Sequence, residues 1–418
     1  MIARRSSLLA LASVLVAAAC GSDPDPAASG GNGGSGGNGG SGGEDPSSGG
    51  QGGGTHPRQE PTRFVATGSL TTGRTNHTAT LLIDGRVAVI GGEDYDYAPL
   101  ASIEVFERAT GTFTEASALL TPRTNHTATR LPSGLVLVVG GGRTNSIGGP
   151  AGEDVLGSVE LFDPVAGSVQ AAAALVTARS HHTATLLLDG RVLVVGGASD
   201  GHVTSPSFGD EVGSAEIYDP ADGAWHETAP LAAPRFLHTA TILGDGRVLV
   251  AGGSNAAEDQ IVATEIFDPA DETWSPGPPL AEARVFHAAA ALPDGGALVV
   301  AGKLANIKFL ATSERTSPAA DTFAASAALP ESRTGVGLSV LPSGRLLATA
   351  GLHGSTSGFN LLDDAHVFDP AADAWSPIGG LATARVLHTS TALPTGEVLV
   401  IGGLGSGAVL DSAEIAVP

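Results

Sequence analysis

The chain has 418 residues, of which 59 are glycine and 26 are proline, and only 4% are aromatic. Glycine and proline exceed their ordinary share, so long helices are not expected and any core must be built from small aliphatic side chains. The formal net charge of −22 argues against nucleic acid and anionic lipid as partners. The single cysteine excludes an intramolecular disulfide and any cysteine-based metal or cluster site.

The first 19 residues have the composition of a signal peptide, with a basic start and an apolar run that is too short to span a bilayer. Cys20 follows this run, and its surroundings resemble a bacterial lipobox, in which the cysteine becomes the lipidated first residue of the mature protein. An ordinary cleavage site formed by Ala17 and Ala19 is the alternative. Because Gly21 rather than aspartate follows the cysteine, we predict export to the outer membrane or cell surface, with the periplasmic side as the alternative. Contact with the membrane is expected only through the lipid.

Residues 20–61 form a tract of glycine, serine and asparagine with almost no apolar side chains. Such a segment buries too little surface to repay the entropy of ordering, so it is predicted to be a disordered linker. The predicted domains are therefore a signal peptide at 1–19, a lipidated linker at 20–61 and a folded domain at 62–418.

From residue 62 onward one pattern repeats seven times, and such a repeat is interpreted before any local motif. Each copy begins with an arginine, and successive arginines are spaced by 49 to 56 residues. A histidine follows three residues later in six copies, and Val336 takes its place in the sixth copy. The arginines are Arg74, Arg123, Arg179, Arg235, Arg284, Arg333 and Arg385, and the histidines are His77, His126, His182, His238, His287 and His388.

Each copy then continues as four short strands. A two-residue turn of the Asp-Gly, Ser-Gly or Thr-Gly type separates the first two strands, as expected of a tight hairpin. The second strand ends in Gly-Gly or Ala-Gly, the third is usually led by a glutamate, and the fourth usually starts at an aromatic residue.

The two ends of the repeat region complement each other. Phe64 has the spacing of a fourth strand without three strands before it, whereas the seventh copy ends after its third strand. Joining the two ends closes a ring and removes the open sheet edge that a linear array would expose. The sequence therefore predicts an all-β fold, a seven-bladed β-propeller closed by an N-terminal strand.

The double glycine, the spacing from glutamate to aromatic residue and the unit length near 50 resemble the kelch motif over residues 62–418. The resemblance implies a kelch-type propeller of four-stranded blades. Galactose oxidase, which is similar to this propeller type, needs a tyrosine joined to a cysteine, and the repeat region has no cysteine. We therefore predict no cofactor. The resemblance still allows a sugar mutarotase that uses Arg, His and Glu at the channel mouth.

The repeated arginines and histidines have two interpretations. In the structural one, each arginine forms the same salt bridge or backbone contact and each histidine bonds the backbone of a neighbouring strand. In the functional one, arginines such as Arg179 and Arg235 meet an acidic or sugar ligand at the channel mouth. A metal site is disfavoured, because each histidine lies in a different blade. The sixth copy lacks both its histidine and its glutamate, which indicates that the two features are coupled.

Differences between the copies favour function, because a scaffold repeats and a ligand site need not. The loops between the second and third strands of blades 2 and 3 are extended, and the corresponding loop of blade 1 holds two of the three tyrosines. Aromatic rings beside charged groups suit a sugar or a cationic peptide. The predicted binding residues are Tyr95, Tyr97, Arg143, Asn145, Asp154, His202, Phe208, Asp210, His353, Arg179 and Arg235.

No catalytic residue and no metal ligand can be assigned from the sequence. The leading hypothesis is a non-enzymatic, lipid-anchored monomer that binds a protein or glycan, and not nucleic acid, through the face with the loops between strands 2 and 3. The alternative is a carbohydrate-active enzyme of the mutarotase or epimerase kind at the channel mouth. A third hypothesis is a spacer without a specific ligand.

Overall fold

A computed structural model describes residues 61–143, 155–199, 211–255, 261–304, 308–355 and 358–417. These residues form 28 strands in seven sheets of four, which confirms the all-β, seven-bladed propeller. No helix with the length and hydropathy needed to cross a membrane occurs among them.

The strands follow the order of the blades. The first strand is β1 (Arg63–Ala66). Blade 1 contains β2 (Thr78–Leu81), β3 (Val87–Ile90), β4 (Ser102–Glu107) and β5 (Thr112–Ala118). Blade 2 contains β6 (Thr127–Arg130), β7 (Val136–Val139), β8 (Val159–Asp163) and β9 (Ser168–Ala172). Blade 3 contains β10 (Thr183–Leu186), β11 (Val192–Val195), β12 (Ala215–Asp219) and β13 (Ala224–Glu227).

The remaining blades have the same order. Blade 4 contains β14 (Thr239–Ile242), β15 (Val248–Ala251), β16 (Glu265–Asp268) and β17 (Thr273–Pro276). Blade 5 contains β18 (Ala288–Ala291), β19 (Ala297–Val300), β20 (Ser313–Thr316) and β21 (Phe323–Ser326). Blade 6 contains β22 (Gly337–Val340), β23 (Leu346–Ser355), β24 (Gly358–Asp369) and β25 (Ala374–Ile378). Blade 7 contains β26 (Thr389–Ala392), β27 (Val398–Ile401) and β28 (Ala413–Val417).

The ring is closed by strand pairing between the two ends of the repeat region. β1 pairs antiparallel with β28, with Phe64 opposite Ala416, and so becomes the fourth strand of blade 7. This pairing confirms the predicted closure by the N-terminal strand.

The first strand of every blade is the innermost one, and the first strands of neighbouring blades contact one another around a central channel. Because consecutive strands are antiparallel, the connections from strand 2 to 3 and from strand 4 to the next strand 1 lie on one face. We call this the mouth face, and the opposite face, with the turns from strand 1 to 2 and from 3 to 4, the hairpin face.

The turns between strands 1 and 2 are longer than predicted. In blade 1, Leu82 N–H donates to Arg86 O at 2.8 Å and Gly85 N–H donates to Leu82 O at 3.1 Å. This encloses three residues, with Gly85 at φ 86°. It is the three-residue hairpin turn that needs glycine in the left-handed position.

The core lies between the blades. The four residues of β11, Val192–Val195, are all fully buried, as are the second strands of the other blades over their four matching residues. A strand covered on both faces is aliphatic throughout, which explains why the chain needs so few aromatic residues.

Candidate functional site at the channel mouth

The seven repeated arginines are structural. Each side chain has 0% exposure and lies inside its own blade. In blade 3, Arg179 donates to the carbonyls of Gly196 and Ser214 at 3.0 and 2.9 Å and to Glu216 Oε1 at 2.5 Å. Glu216 also accepts from the N–H groups of Val176 and Thr177, which lie just before the arginine. One ion pair thus holds strands 2 and 3 and the connection from strand 4.

This geometry corrects the proposal of Arg179 and Arg235 as binding residues. Burial removes both guanidinium groups from any surface that a ligand reaches, and Arg235 is paired with Glu265 at 2.8 Å. Burial lowers the pKa of Arg179, and the charge of Glu216 opposes that shift.

The six repeated histidines link neighbouring blades. Each imidazole Nε2 lies 2.9 to 3.1 Å from a threonine hydroxyl of the preceding blade. The Nε2 partner is therefore a side chain, whereas the sequence predicted bonds to the backbone of a neighbouring strand. Backbone hydrogen bonds to Ala251 and Arg284 also contribute to the pKa of His287. Burial lowers the pKa of His126, His238, His287 and His388 to about 3, so these rings are neutral at pH 7.

The missing histidine of blade 6 is matched by losses in blade 5. The position that supplies the threonine hydroxyl is Ala288 in blade 5, so Val336 has no hydroxyl to bond. The first glycine of the pair is Ala301 there. A Cβ at the corresponding Gly252 would lie 2.5 Å from His287 Cε1, whereas beside Ala301 the next blade has Val336 instead of that ring. Blade 6 also has an alanine there, Ala350, and His388 of the next blade bonds Thr349 of the second strand.

The missing glutamate of blade 6 is compensated separately. Arg333 pairs with Asp364, whose two carboxylate oxygens accept at 2.6 and 2.7 Å. His366 occupies the position of the glutamate, with its Nδ1 3.5 Å from Asp364. The predicted coupling between the two losses in this blade is therefore wrong, because each loss is compensated by a different neighbour.

The residues two positions after the arginines form a ring at the mouth of the channel, which we call the mouth ring. All seven adopt left-handed backbone, with φ from 52° to 62°. The members are Asn76, Asn125, His181, Leu237, Phe286, Gly335 and Leu387. Left-handed backbone is strained for histidine, leucine and phenylalanine, so the fold imposes this conformation whatever the side chain.

The side chains of the mouth ring divide it into two unlike arcs. Blades 1 to 3 supply the polar arc, whose members are linked by hydrogen bonds from Asn125 N–H to Asn76 O and from His181 N–H to Asn125 O, both at 3.3 Å. Blades 4, 5 and 7 supply the apolar arc of Leu237, Phe286 and Leu387, which packs on an apolar cluster of the mouth face.

The polar arc contains buried atoms that have no hydrogen-bond partner among the described residues. They are Asn76 Oδ1, Asn125 Oδ1 and His181 Nε2. The orientation of Asn76 is set by its Nδ2, which donates to Glu93 Oε1 at 2.7 Å, so its Oδ1 is an acceptor. Buried polar atoms are rarely left unsatisfied, and this arc therefore has the character of a ligand site.

His181 differs from the histidines of the scaffold. Its Nδ1 lies 3.0 Å from Ser180 Oγ, in its own blade. Burial lowers the pKa of His181 to about 3, so the ring is neutral at pH 7. A neutral imidazole has one nitrogen that accepts a hydrogen bond and one that donates.

A cavity of about 140 Å³ opens at the polar arc and continues down the channel. Residues of the first strands line it in two layers. The upper layer includes Ala79, Ala184, Ala240, Ala289, Leu338 and Ser390, and the lower layer includes Ile242, Ala291 and Val340.

The predicted binding residues that the structure describes lie around this mouth face but do not form one cluster. Tyr95 and Tyr97 are 63% and 43% exposed in the blade 1 loop. Arg143 is exposed in blade 2. His353 in blade 6 has its Nδ1 2.8 Å from Ser332 O. The other predicted residues lie outside the described residues: Cys20, Asn145, Asp154, His202, Phe208 and Asp210.

Sequence reasoning missed the mouth ring, although a signal was present. The residue just before the repeated histidine changes from polar in blades 1 to 3 to apolar in blades 4, 5 and 7. Aligning the seven copies column by column would have shown this change. Only the structure shows that the column lines the channel.

No protein-family model matches the chain, and no curated protein matches it. Among solved structures it is similar to a fungal alcohol oxidase of the AA5 family in complex with copper, with a TM-score of 0.64 and 13% sequence identity. The similarity covers 87% of this chain and 77% of that chain. The likeness shows the fold.

The comparison corrects the leading functional hypothesis. This solved structure with a similar fold is an enzyme, which contradicts the expectation of a non-enzymatic binding module for a protein or glycan. At 13% identity the activity of the oxidase does not transfer to this chain.

The residues of this chain do not fit the copper of that oxidase. Within the described ranges, no three His, Cys, Asp or Glu side chains are grouped so that they can hold a metal ion. The Nε2 atoms of the six repeated histidines face threonine hydroxyls of neighbouring strands.

Proposed function

We propose that this protein is an enzyme that acts on a small hydroxyl-bearing molecule, such as a sugar, at the mouth of the channel and without copper. The two-sided mouth ring carries the proposal. A sugar ring presents hydroxyl groups at its edge and C–H groups on its face. The polar arc offers buried acceptors for the hydroxyls, and Leu237 and Leu387 offer apolar contact across the cavity. The fungal oxidase acts on alcohols, which also bear hydroxyl groups.

The reaction that these residues suit is the interconversion of sugar anomers by proton transfer. Opening a sugar ring at its anomeric carbon requires one proton to leave the anomeric hydroxyl and one to reach the ring oxygen, and it needs no cofactor. Asn76 Oδ1 and Asn125 Oδ1 accept from substrate hydroxyls and orient the ring. His181 is the group that exchanges a proton with the substrate, because it is the one titratable side chain of the polar arc.

Anomer exchange measured by NMR on a panel of reducing sugars tests the proposal. We expect the protein to accelerate exchange for at least one sugar, and His181→Leu to reduce the rate by about 100-fold or more, the range of general acid–base catalysis. The variant should fold, because leucine occupies the same position at a similar φ in blades 4 and 7. His226→Leu, in the outer strand β13, is the matched control and should keep the rate. No acceleration with any sugar, or an equal rate in His181→Leu, would refute the proposal.

We further propose that the repeats are of the kelch type and that the propeller is exported and tethered by lipid at Cys20. The repeat pattern of residues 62–418 and the short apolar run before the only cysteine support these two points. Cys20→Ser should release the protein from the membrane fraction when cells are fractionated. A wild-type protein found only in the soluble fraction would contradict the anchor.

A further inference from the structure

The cavity changes character below the mouth ring. Ser390 alone is polar among the residues of the upper and lower layers that line it, and the others are aliphatic. These residues are partly exposed, whereas Thr185 and Thr241, which alternate with them and border the cavity, are only 5% and 7% exposed. Because side chains alternate along a strand, the partly exposed ones face the channel. The wall below the polar arc is therefore aliphatic.

The hydroxyl groups along this wall are bonded within the propeller. Those of Thr183 and Thr239 lie 3.0 and 2.9 Å from imidazoles of the next blade, and Ser390 Oγ lies 2.8 Å from Ser339 Oγ. A substrate hydroxyl at this depth would lose its bonds to water without gaining equivalent ones, which lowers its affinity. A methyl group would instead gain from burial against aliphatic side chains.

A sugar held at the mouth has one substituent that suits this wall. The proposed reaction places the anomeric hydroxyl and the ring oxygen at His181. In a six-membered sugar ring, the carbon on the other side of that oxygen carries the single exocyclic carbon, and the remaining substituents are hydroxyl groups. The exocyclic carbon is a hydroxymethyl group in common hexoses and a methyl group in 6-deoxy sugars. It is the group that an aliphatic channel can accept.

We propose that the substrate is a 6-deoxy sugar whose methyl group enters the channel below the polar arc. The inference rests on the proposed function for the position of the sugar at the mouth. The short side chains of Ala184, Ala240 and Ala289 leave room for the group, and Ile242 and Val340 form the wall beneath it. An apolar pocket distinguishes substituents that differ by one small group by about 10- to 100-fold.

NMR titration of matched sugar pairs tests the inference, because the two members of each pair differ only by the terminal hydroxyl. The pairs are L-fucose with L-galactose, D-fucose with D-galactose, and L-rhamnose with L-mannose. We expect the 6-deoxy member of at least one pair to bind at least about 10-fold more tightly. A preference for the 6-deoxy member in none of the pairs, or no binding of any of these sugars, would overturn the inference.

Ala240→Ser is the matched variant for the channel wall. Serine fits the fold there, because Ser390 occupies the same position in blade 7. The new hydroxyl offers a partner to the terminal hydroxyl of the parent sugar, so the preference for the 6-deoxy sugar should fall by about 3-fold or more. Ala224→Ser, at an exposed position of β13, is the control and should keep the preference. An unchanged preference in Ala240→Ser would place the methyl group elsewhere and overturn the inference.

Anomer exchange measured on the same pairs separates this inference from the proposed function. Tighter binding of a 6-deoxy sugar without faster exchange would refute the proposed enzyme and support the binding of the methyl group in the channel. Faster exchange with equal rates and affinities for both members of each pair would support the enzyme and overturn the preference for 6-deoxy sugars.

Discussion

Two rings of residues, only two positions apart in the chain, are used in opposite ways. The ring of seven arginines is identical in every blade, and each guanidinium has 0% exposure. The mouth ring has nearly the same backbone in every blade, with φ from 52° to 62°, but its side chains range from asparagine to phenylalanine. The fold therefore controls the side chain at the first ring and only the backbone at the second. A repeat protein can acquire a ligand site at such a position, because the side chain can change without disturbing the backbone.

Acid should have the largest effect on the scaffold, through the histidines that follow the mouth ring. The pKa of His126, His238, His287 and His388 is about 3 in the folded protein and about 6.5 in the unfolded chain. Below pH 6.5 the unfolded state binds protons that the folded state does not. The free energy of unfolding therefore falls as the pH drops, by up to about 1.4 kcal/mol per pH unit for each histidine.

Urea unfolding between pH 7 and pH 5 measures this dependence. His126→Gln should lower the slope of stability against pH by up to about 1.4 kcal/mol per unit, because one titrating group is removed. An equal slope in the wild type and the variant would show that the ring does not control acid stability.

Removing one buried arginine should have the next largest effect. Arg179→Met leaves Glu216 charged and unpaired, with both side chains at 0% exposure, and should reduce the free energy of unfolding by about 3 to 5 kcal/mol. Arg345→Met is the control, since its pair with Asp369 is exposed and should contribute at most about 1 kcal/mol. Similar losses in the two variants would remove the distinction between scaffold and surface arginines.

The glycine beside the histidine ring should show a smaller effect. Gly252→Ala places a Cβ 2.5 Å from His287 Cε1, at φ 66°, and should cost about 2 to 4 kcal/mol in thermal or chemical unfolding. Gly407→Ala has φ 90° and open space, so it should cost only the backbone strain of about 1 kcal/mol. Equal costs would mean that crowding against the histidine is unimportant.

The smallest effect on stability is expected in the mouth ring. Asn125→Leu should change the free energy of unfolding by less than about 1 kcal/mol, because Leu237 and Leu387 already occupy this position with φ 56° and 59°. The same variant should weaken substrate binding, since it removes one acceptor of the polar arc. A loss of stability comparable to that of Arg179→Met would place the mouth ring in the scaffold.

The exceptions to the repeat show how copies of one unit are adjusted to each other. Between blades 4 and 5, the hydroxyl of Thr239 and the space above Gly252 both face His287 of the next blade. Between blades 5 and 6, all three positions differ together: they are Ala288, Ala301 and Val336. Departures in sequence are thus compensated across blade boundaries or, as with the pair of Arg333 and Asp364, by a residue two positions away on the strand that lacks the glutamate. Considering blade 6 alone wrongly couples its missing histidine to its missing glutamate.

The number of blades, the order of the strands and the closure by Phe64 could all be predicted from residue order. Short-range patterns and their spacing are linear properties, and a closed ring is the arrangement that leaves no strand edge open. The structural interpretation of the arginines could be stated, but not distinguished from a ligand site.

What required the folded structure is how residues far apart in the chain face one another. The partner of His77 is Thr389, 312 residues away, and such a bond forms only when the ring closes. The unsatisfied atoms of Asn76, Asn125 and His181 likewise depend on seven strands meeting around one axis. Spacing along a chain carries periodicity, whereas burial and hydrogen-bond satisfaction are properties of the packed ring.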